Sequence, residues 1–159
     1  MRRVITGHKD GKSIIVDDAE IPAALDNFGC QLIPIWKTES VPSIPLKQTD
    51  FNVDMDGANF KPGEVLTDIW IQPPDEKVIK DAKKAGVDLG ADWGVHTTDT
   101  VDIAFVVSGE IWMELDDGKE VHLKAGDSVV QNGTRHAWIN RSNDICVLFA
   151  VMIGAKRDG

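Results

Sequence analysis

The chain of 159 residues carries 26 acidic and 17 basic side chains and a formal net charge of -9. That length is enough for one domain with a sizeable core and too short for two ordinary domains. The acidic balance, with no clustered basic face in the sequence, argues against nucleic acid and anionic membrane surfaces as partners. No apolar run typical of a secretory signal follows the first residues, so we expect a cytoplasmic protein.

The N-terminal part predicts a hairpin and then a long irregular arm. Residues 2–16 form two β-rich runs around an Asp-Gly dipeptide, which supplies the positive φ angles of a tight turn. Residues 31–36 predict a short strand, which Pro34 confines to a sheet edge or a bulge. Residues 37–63 contain three prolines among polar side chains and predict an arm that packs on the rest of the domain or on a partner subunit. Within it, residues 50–57 predict a solvated acidic turn, because their spacing does not match a calcium loop.

The middle of the chain predicts one strand and one helix. Residues 64–72 alternate apolar and other side chains up to Pro73-Pro74, which predicts a strand that ends there. Residues 75–85 carry acids first and lysines last, with apolar positions on one side and Gly86 as a stop. This pattern predicts a short amphipathic helix inserted between strands.

The last third of the chain predicts almost only strands. Apolar or alternating runs are separated by glycine or polar turns at short intervals, and the turn at residues 116–119 has hairpin chemistry. Many short antiparallel strands of this kind predict an all-β sandwich, jelly roll or barrel. The strands are expected at residues 101–107, 110–115, 120–123, 128–131, 137–140 and 145–153.

Two glycine-marked segments in this region each carry one histidine. The first holds His96 between two glycines, and the second holds His136 after two glycines and before an asparagine. Their order and spacing resemble the two motifs of the cupin family. The matching positions are Gly90, His96, Gly109, Gly126, Gly133, His136 and Asn140. The resemblance implies an all-β cupin double-stranded β-helix, which is a jelly-roll barrel, here with a short helical insertion.

The chain departs from the family's motifs at three positions. Thr98 stands at the family's second histidine, Asp102 at its glutamate and Gln131 at its proline. The family's metal site uses three histidines and one glutamate, so this chain has one imidazole fewer and a shorter acid. A threonine hydroxyl is a poor ligand for a borderline divalent cation.

The resemblance also implies one structural domain with two parts. Residues 1–63 would form the N-terminal hairpin and the arm, and residues 64–159 would form a single cupin barrel. Cupins often pair through N-terminal strands, and an arm of this length fits such an exchange. We therefore expect a homodimer.

Strand alternation predicts that the motif side chains meet in the barrel. His96 and Asp102 share one sheet face, and His136 shares a face with Trp138 on a later strand. If both faces line the barrel mouth, two imidazoles and one carboxylate form a set that suits iron and is compatible with zinc, manganese or nickel. The resemblance thus implies one divalent metal held by His96, Asp102 and His136, which are also the expected catalytic residues. The residues expected to line the substrate are Thr98, Trp138 and Asn140.

Three functions remain open from the sequence, all of them acting on a small molecule. One is metal-assisted, oxygenase-like chemistry on a small organic metabolite, aromatic or oxygenated, held against Trp138. The second is a metal-free isomerase or lyase in which Asp102 orients His96 or His136, or raises its pKa. This chain would need such a pair because it has no tyrosine, the acid of some cupin sugar epimerases. The third is a non-catalytic barrel that binds a small ligand, with both histidines as hydrogen-bonded lining residues.

Overall fold

Eleven strands, one α-helix and a short 3₁₀ helix at Asp116–Gly118 make up the regular structure of residues 1–53 and 59–158, which the computed structural model describes. The helix α1 spans Asp75–Lys84, and no helix in these ranges is long and apolar enough to cross a membrane. The cytoplasmic location stays a prediction. The strands are β1 (Arg2–Lys9), β2 (Lys12–Glu20), β3 (Leu25–Asn27), β4 (Cys30–Thr38), β5 (Val65–Gln72), β6 (Thr100–Ser108), β7 (Glu110–Glu114), β8 (Glu120–Lys124), β9 (Ser128–Asn132), β10 (Ala137–Ile139) and β11 (Cys146–Gly154).

Antiparallel pairing organises these strands into two sheets and a separate hairpin. The larger sheet has the order β3-β4-β5-β11-β6-β9, the smaller one has the order β10-β7-β8, and β1 pairs with β2. The buried core lies between the two sheets, because strands of both contribute its side chains. They are Val106, Ile111, Leu123, Cys146 and Leu148. The all-β jelly-roll barrel with a short helical insertion is therefore confirmed.

Turn and stop residues act where the sequence predicts. The hairpin between β1 and β2 turns at Asp10 and Gly11, which have φ angles of 51° and 75°. The register of β4 on β5 shifts next to Pro34, so the predicted bulge forms where proline has no amide proton to donate. The helix α1 ends just before Gly86, which has a φ of 76° and stops it as predicted.

The larger sheet begins earlier in the chain than the predicted barrel does. Strand β3 pairs with β4 and β4 pairs with β5, so residues 25–38 extend this sheet. No pattern predicts β3, because a run of three residues is too short to show a period. The division into residues 1–63 and residues 64–159 stays a prediction.

The arm has no helix or strand in its described residues 39–53 and 59–63, which follow the end of β4. Asp50 caps a small turn there, since its Oδ1 accepts a hydrogen bond from the amide of Asn52 at 3.0 Å. The second half of the predicted acidic turn at residues 50–57, residues 54–57, lies outside the described residues.

The inner face of the larger sheet carries two acids. Asp68 of β5 lies opposite Ala150 of β11, which in turn lies opposite Ala104 of β6. Asp102 of β6 lies opposite Met152 of β11, one inward position further along. Alternate residues of a strand point to the same side, so both carboxyl groups face the interior together with the core side chains. The small alanine side chains between the strands leave room for a cavity.

The outer face of the same sheet is apolar and partly exposed. Phe105 lies opposite Phe149, and Ile103 lies opposite both Val151 and Val130. Phe105 keeps 42% and Val130 keeps 57% of its surface exposed. A second copy packed on this face would remove these side chains from water. The homodimer itself stays a prediction.

Gly109, a motif glycine, makes the tight connection between β6 and β7. Its φ is 75°, and a Cβ at this position would lie 2.5 Å from the carbonyl oxygen of Ile145 and 2.9 Å from the Cα of Cys146. The left-handed backbone and the close approach of another strand both require a residue without a side chain.

We expect Gly109→Ala to lower the free energy of unfolding by about 3 kcal/mol, because strain at positive φ adds to a clash with backbone. Gly118→Ala is the control, since Gly118 has a φ of 65° but no described atom within 4 Å of the Cβ position. Strain alone should cost this control about 1 kcal/mol. Urea unfolding followed by tryptophan fluorescence measures both losses, and equal losses would contradict the role of the contact.

Candidate functional site

The two motif histidines lie side by side where the segment before β6 meets the start of β10. The amide of each donates a hydrogen bond to the carbonyl of the other, at 2.9 Å from His96 and 3.0 Å from His136. Their ring centroids are 4.4 Å apart. His136 is buried and His96 is exposed, so the pair connects the barrel interior to its surface.

A backbone carbonyl sets the tautomer of His96. Nδ1 of His96 lies 2.8 Å from the carbonyl oxygen of Gly94. Because a carbonyl accepts hydrogen bonds and does not donate them, Nδ1 carries the proton in this contact. The neutral ring therefore has its lone pair on Nε2, where it is free to take a proton or to bind a cation.

Gln131, at the family's proline position, contacts the ring of His136. Its Oε1 accepts a hydrogen bond from the amide of Thr134 at 3.1 Å, which turns its Nε2 toward Nδ1 of His136 at 3.0 Å. The carbonyl oxygen of Thr134 lies 3.0 Å from the same Nδ1. An amide nitrogen donates and a carbonyl accepts, so a neutral ring satisfies one of these contacts at a time. Burial lowers the pKa of His136 below its usual value, which favours the neutral ring.

Asp102 lies buried beside two threonines. Burial raises the pKa of its carboxyl group above the usual range, and the Thr100 hydroxyl and His96 offset part of that rise. Within the described part of the chain its Oδ1 has no hydrogen-bond partner. Thr98 is also buried, and its hydroxyl accepts a hydrogen bond from the Thr100 hydroxyl at 2.7 Å. Thr98, which replaces the family's second histidine, is thus hydrogen bonded to a neighbouring threonine.

Asn140 lies in a buried network and not in the cavity wall described below. Its Nδ2 donates hydrogen bonds to the carbonyl oxygens of Gln72, at 2.9 Å, and Asp144, at 2.8 Å. Its Oδ1 accepts hydrogen bonds from the amide and the hydroxyl of Ser142 at 3.0 and 2.7 Å. The residue therefore joins the end of β5 to the turn before β11.

Asp68 is an acid that lies outside both motifs. It is 2% exposed, and its Oδ2 has no hydrogen-bond partner among the described residues. Burial, together with the charge of Asp102, raises the pKa of Asp68 to about 7. A signal exists in the sequence, because Asp68 shares the inward face of an apolar strand with Leu66 and Trp70. An acid on a buried face is a candidate functional group.

The two acids and the two histidines line one cavity of about 170 Å³. Trp138 forms part of its wall and packs edge-on against His136 with ring centroids 5.7 Å apart, and its contact with a substrate stays a prediction. The rest of the wall is mainly apolar. The other lining residues are Leu32, Trp70, Ala104, Leu148, Ala150 and Met152. The structure therefore brings His96, Asp102, His136 and Trp138 together, and it leaves Thr98 and Asn140 behind the wall.

The donors in this cavity do not match the metal set that the resemblance implies. Taking all described residues together, no three His, Cys, Asp or Glu side chains converge closely enough to hold one metal ion. Position 98 supplies a hydroxyl that is already hydrogen bonded, so it does not complete the set either. The metal site at His96, Asp102 and His136 stays a prediction.

Comparison with known proteins connects this geometry to a family. Residues 87–152 match the family model described as Cupin domain. The chain is 31% identical over 155 residues to phomopsin biosynthesis cluster protein C′ of Diaporthe leptostromiformis, covering 89% of this chain and 71% of that protein. It is also 31% identical over 151 residues to phomopsin biosynthesis cluster protein D of the same fungus, with the same coverage of 89% and 71%. A cupin 2 conserved barrel domain protein from Salinispora arenicola CNS-205 is 18% identical, with a TM-score of 0.49 over 84% of this chain and 82% of that one.

The buried carboxyl of Asp68 should make stability depend on pH. In the folded chain it stays protonated up to about pH 7, whereas its ordinary pKa is 3.8. Between these values the folded state binds one more proton than the unfolded state, so stability falls as pH rises. Asp68→Asn removes this loss. We expect its free energy of unfolding to rise relative to the wild type by about 4 kcal/mol between about pH 4 and pH 8.

Urea unfolding at a series of pH values measures this difference. Asp81→Asn is the matched control, because Lys77 and Lys84 lower the pKa of Asp81 and keep it ionised over the same range. The free energy of unfolding of this control should change with pH in the same way as that of the wild type. A parallel course for Asp68→Asn as well would contradict the assignment of a protonated Asp68.

Proposed function

The chain belongs to the cupin family, and from that membership we propose that it is an acid–base enzyme, an isomerase or lyase, of small-molecule metabolism. One observation carries the proposal. Asp68 and Asp102, each with a buried oxygen that lacks a partner in the described chain, share a cavity with His96 and His136. Groups of this kind transfer protons to and from a bound molecule. The similarity to two proteins named after the phomopsin biosynthesis cluster supports a role in making or converting a small molecule.

The proposed reaction begins at a carbon next to a carbonyl group. His96 is the base: its Nε2 takes the proton, the C–H bond breaks, and the electron pair moves toward the carbonyl oxygen. Asp68, which is protonated near neutral pH, donates its proton to that oxygen, and an enol forms. In a substrate with a double bond between its β and γ carbons, return of the proton from His96 to the γ carbon re-forms the carbonyl, the hydroxyl proton passes back to Asp68, and the conjugated isomer results. In a substrate with a leaving group on the β carbon, the carbonyl re-forms and the hydroxyl proton returns to Asp68 while the bond to the leaving group breaks, and the leaving group takes the proton from His96.

The remaining groups of the cavity support this step. Asp102, when ionised, stabilises the imidazolium that forms on His96. The backbone bridge to His136 holds His96 at the mouth of the cavity. Apolar neighbours such as Leu148 and Met152 exclude water, which strengthens the interaction of each charge with the reacting atoms.

The two other functions stay predictions. Oxygenase-like chemistry requires a metal, and the described donors, as placed, do not supply three converging ligands for one. Non-catalytic binding of a small ligand would leave the two buried acids without a role in turnover. The two experiments below separate these alternatives from the proposal.

We expect the wild type to exchange the α-protons of cyclohexanone in D₂O faster than buffer does, as measured by ¹H NMR. Cyclohexanone is uncharged and small enough for the inner cavity. Asp68→Asn should lower the protein-dependent rate about 100-fold, because an amide does not donate a proton of comparable acidity to the carbonyl oxygen. Asp81→Asn, which removes a partly exposed carboxyl on α1 that lines neither cavity, should keep the wild-type rate. Equal rates for Asp68→Asn and the wild type would contradict the role of Asp68.

Removal of metal should leave this exchange unchanged. Protein purified without an affinity tag is analysed for metal by mass spectrometry and assayed before and after treatment with a chelator. The proposal expects substoichiometric metal and the same rate in both samples, since no step uses a metal. One metal ion per chain and loss of exchange after chelation would contradict the proposal and support the predicted metal site at His96, Asp102 and His136.

A further inference from the structure

A second cavity of about 550 Å³, called the vestibule here, adjoins the inner cavity. Trp70, His96 and Trp138 line both cavities, so the two cavities are neighbours that share part of their walls. We propose that the vestibule binds the uncharged aromatic or hydrophobic body of a substrate whose carbonyl-bearing head enters the inner cavity. The chemistry of the head rests on the proposed function, whereas the binding of the body rests on the lining of the vestibule.

The sizes of the two cavities indicate a substrate with two parts. The inner cavity, of about 170 Å³, accommodates a head no larger than a small ring. The vestibule lies within the range of roughly 300–1,000 Å³ that is usual for small-molecule sites. A substrate confined to the inner cavity would leave this adjoining apolar surface in contact with water. A longer molecule covers it and gains free energy from that burial.

The lining of the vestibule favours an uncharged body. Its aromatic rings come from Phe28, Trp70, Trp93 and Trp138, and its described lining residues include no Asp, Glu, Lys or Arg. The Cys30 thiol in this lining is neutral near pH 7, because burial raises its pKa to about 11. A charged group bound here would lose its water and find no Asp, Glu, Lys or Arg side chain in the described wall to pair with.

Hydrogen bonds hold one of the tryptophans in place before any ligand arrives. Nε1 of Trp70 donates to Oε1 of Gln72 at 2.8 Å, and Nε2 of Gln72 donates to Oδ1 of Asp75 at 2.9 Å. The amide of Asp75, at the start of α1, donates to the carbonyl oxygen of Asn140 at 2.9 Å. This network connects the ring to the barrel and the helix, so binding does not have to order it. The buried Asn140 thus acts as a positioning residue for the wall of the vestibule.

Trp93 is an aromatic residue of the vestibule that lies outside the strands of the barrel. It lies in the turn at residues 91–94, between α1 and β6, and is partly buried. Its ring faces the same vestibule as Trp70 and Trp138. A planar aromatic body between these rings would gain stacking interactions as well as burial.

The test uses 6-propionyl-2-(dimethylamino)naphthalene, an uncharged naphthyl ketone whose fluorescence shifts to the blue in an apolar site. Titration of the wild type should give a saturable blue shift. Trp93→Ala should weaken binding about tenfold, because one wall of the vestibule is lost. Trp93→Phe keeps an aromatic ring and should recover most of the affinity. Trp112→Ala is the matched control, since Trp112 stacks on the exposed His122 and lines neither cavity.

The outcomes separate this inference from the proposed function. Equal affinity of the wild type and Trp93→Ala would overturn the inference, and so would equal binding of anionic naphthalene-2-sulfonate. Binding of the ketone needs no turnover, and exchange of cyclohexanone does not need the vestibule. Loss of affinity in Trp93→Ala without any cyclohexanone exchange by the wild type would support the vestibule and remove the proposed function. Exchange of cyclohexanone by the wild type, together with an unchanged affinity of Trp93→Ala for the ketone, would support the proposed function and overturn the inference about the vestibule.

Discussion

The burial of two carboxyl groups in an apolar barrel is the constraint on which the site depends. Asp68 and Asp102 point inward from strands that flank β11, and neither finds partners in the described chain for all its oxygens. Such groups cost free energy that packing elsewhere has to offset, and most buried polar atoms avoid this cost by hydrogen bonding. Burial keeps Asp68 protonated near neutral pH, and this is the property that general acid catalysis requires.

The departures from the family's motifs change how the histidines are held. Thr98 replaces an imidazole with a hydroxyl that is hydrogen bonded to Thr100. Gln131 replaces a proline with a side chain that contacts the ring of His136 and the backbone of Thr134. A proline has no side-chain donor or acceptor that could form a hydrogen bond with the ring or with the backbone amide. These replacements fit a barrel in which hydrogen bonds within the chain hold the histidine rings in place.

The helical insertion is next to the site because it forms part of the vestibule wall. Val78 of α1 lies in the vestibule lining, and the first residue of the helix, Asp75, is hydrogen bonded to both Gln72 and Asn140. One buried network therefore joins the insertion, the end of β5 and the second motif. This connection explains why the motif asparagine is buried although it touches neither cavity.

The sequence by itself determined most of the elements, the barrel and the motif positions of the two histidines, because turn residues, strand alternation and motif spacing are local patterns. Those patterns do not record which strands become neighbours. Asp68 lies far from both motifs in the chain, and it reaches the site because β11 pairs with β5 on one side and with β6 on the other. Thr98 and Asn140 lie at motif positions, yet their hydrogen-bond partners place them behind the wall. Only the tertiary structure decided these points, because the strand pairing that makes a cavity joins residues distant in sequence.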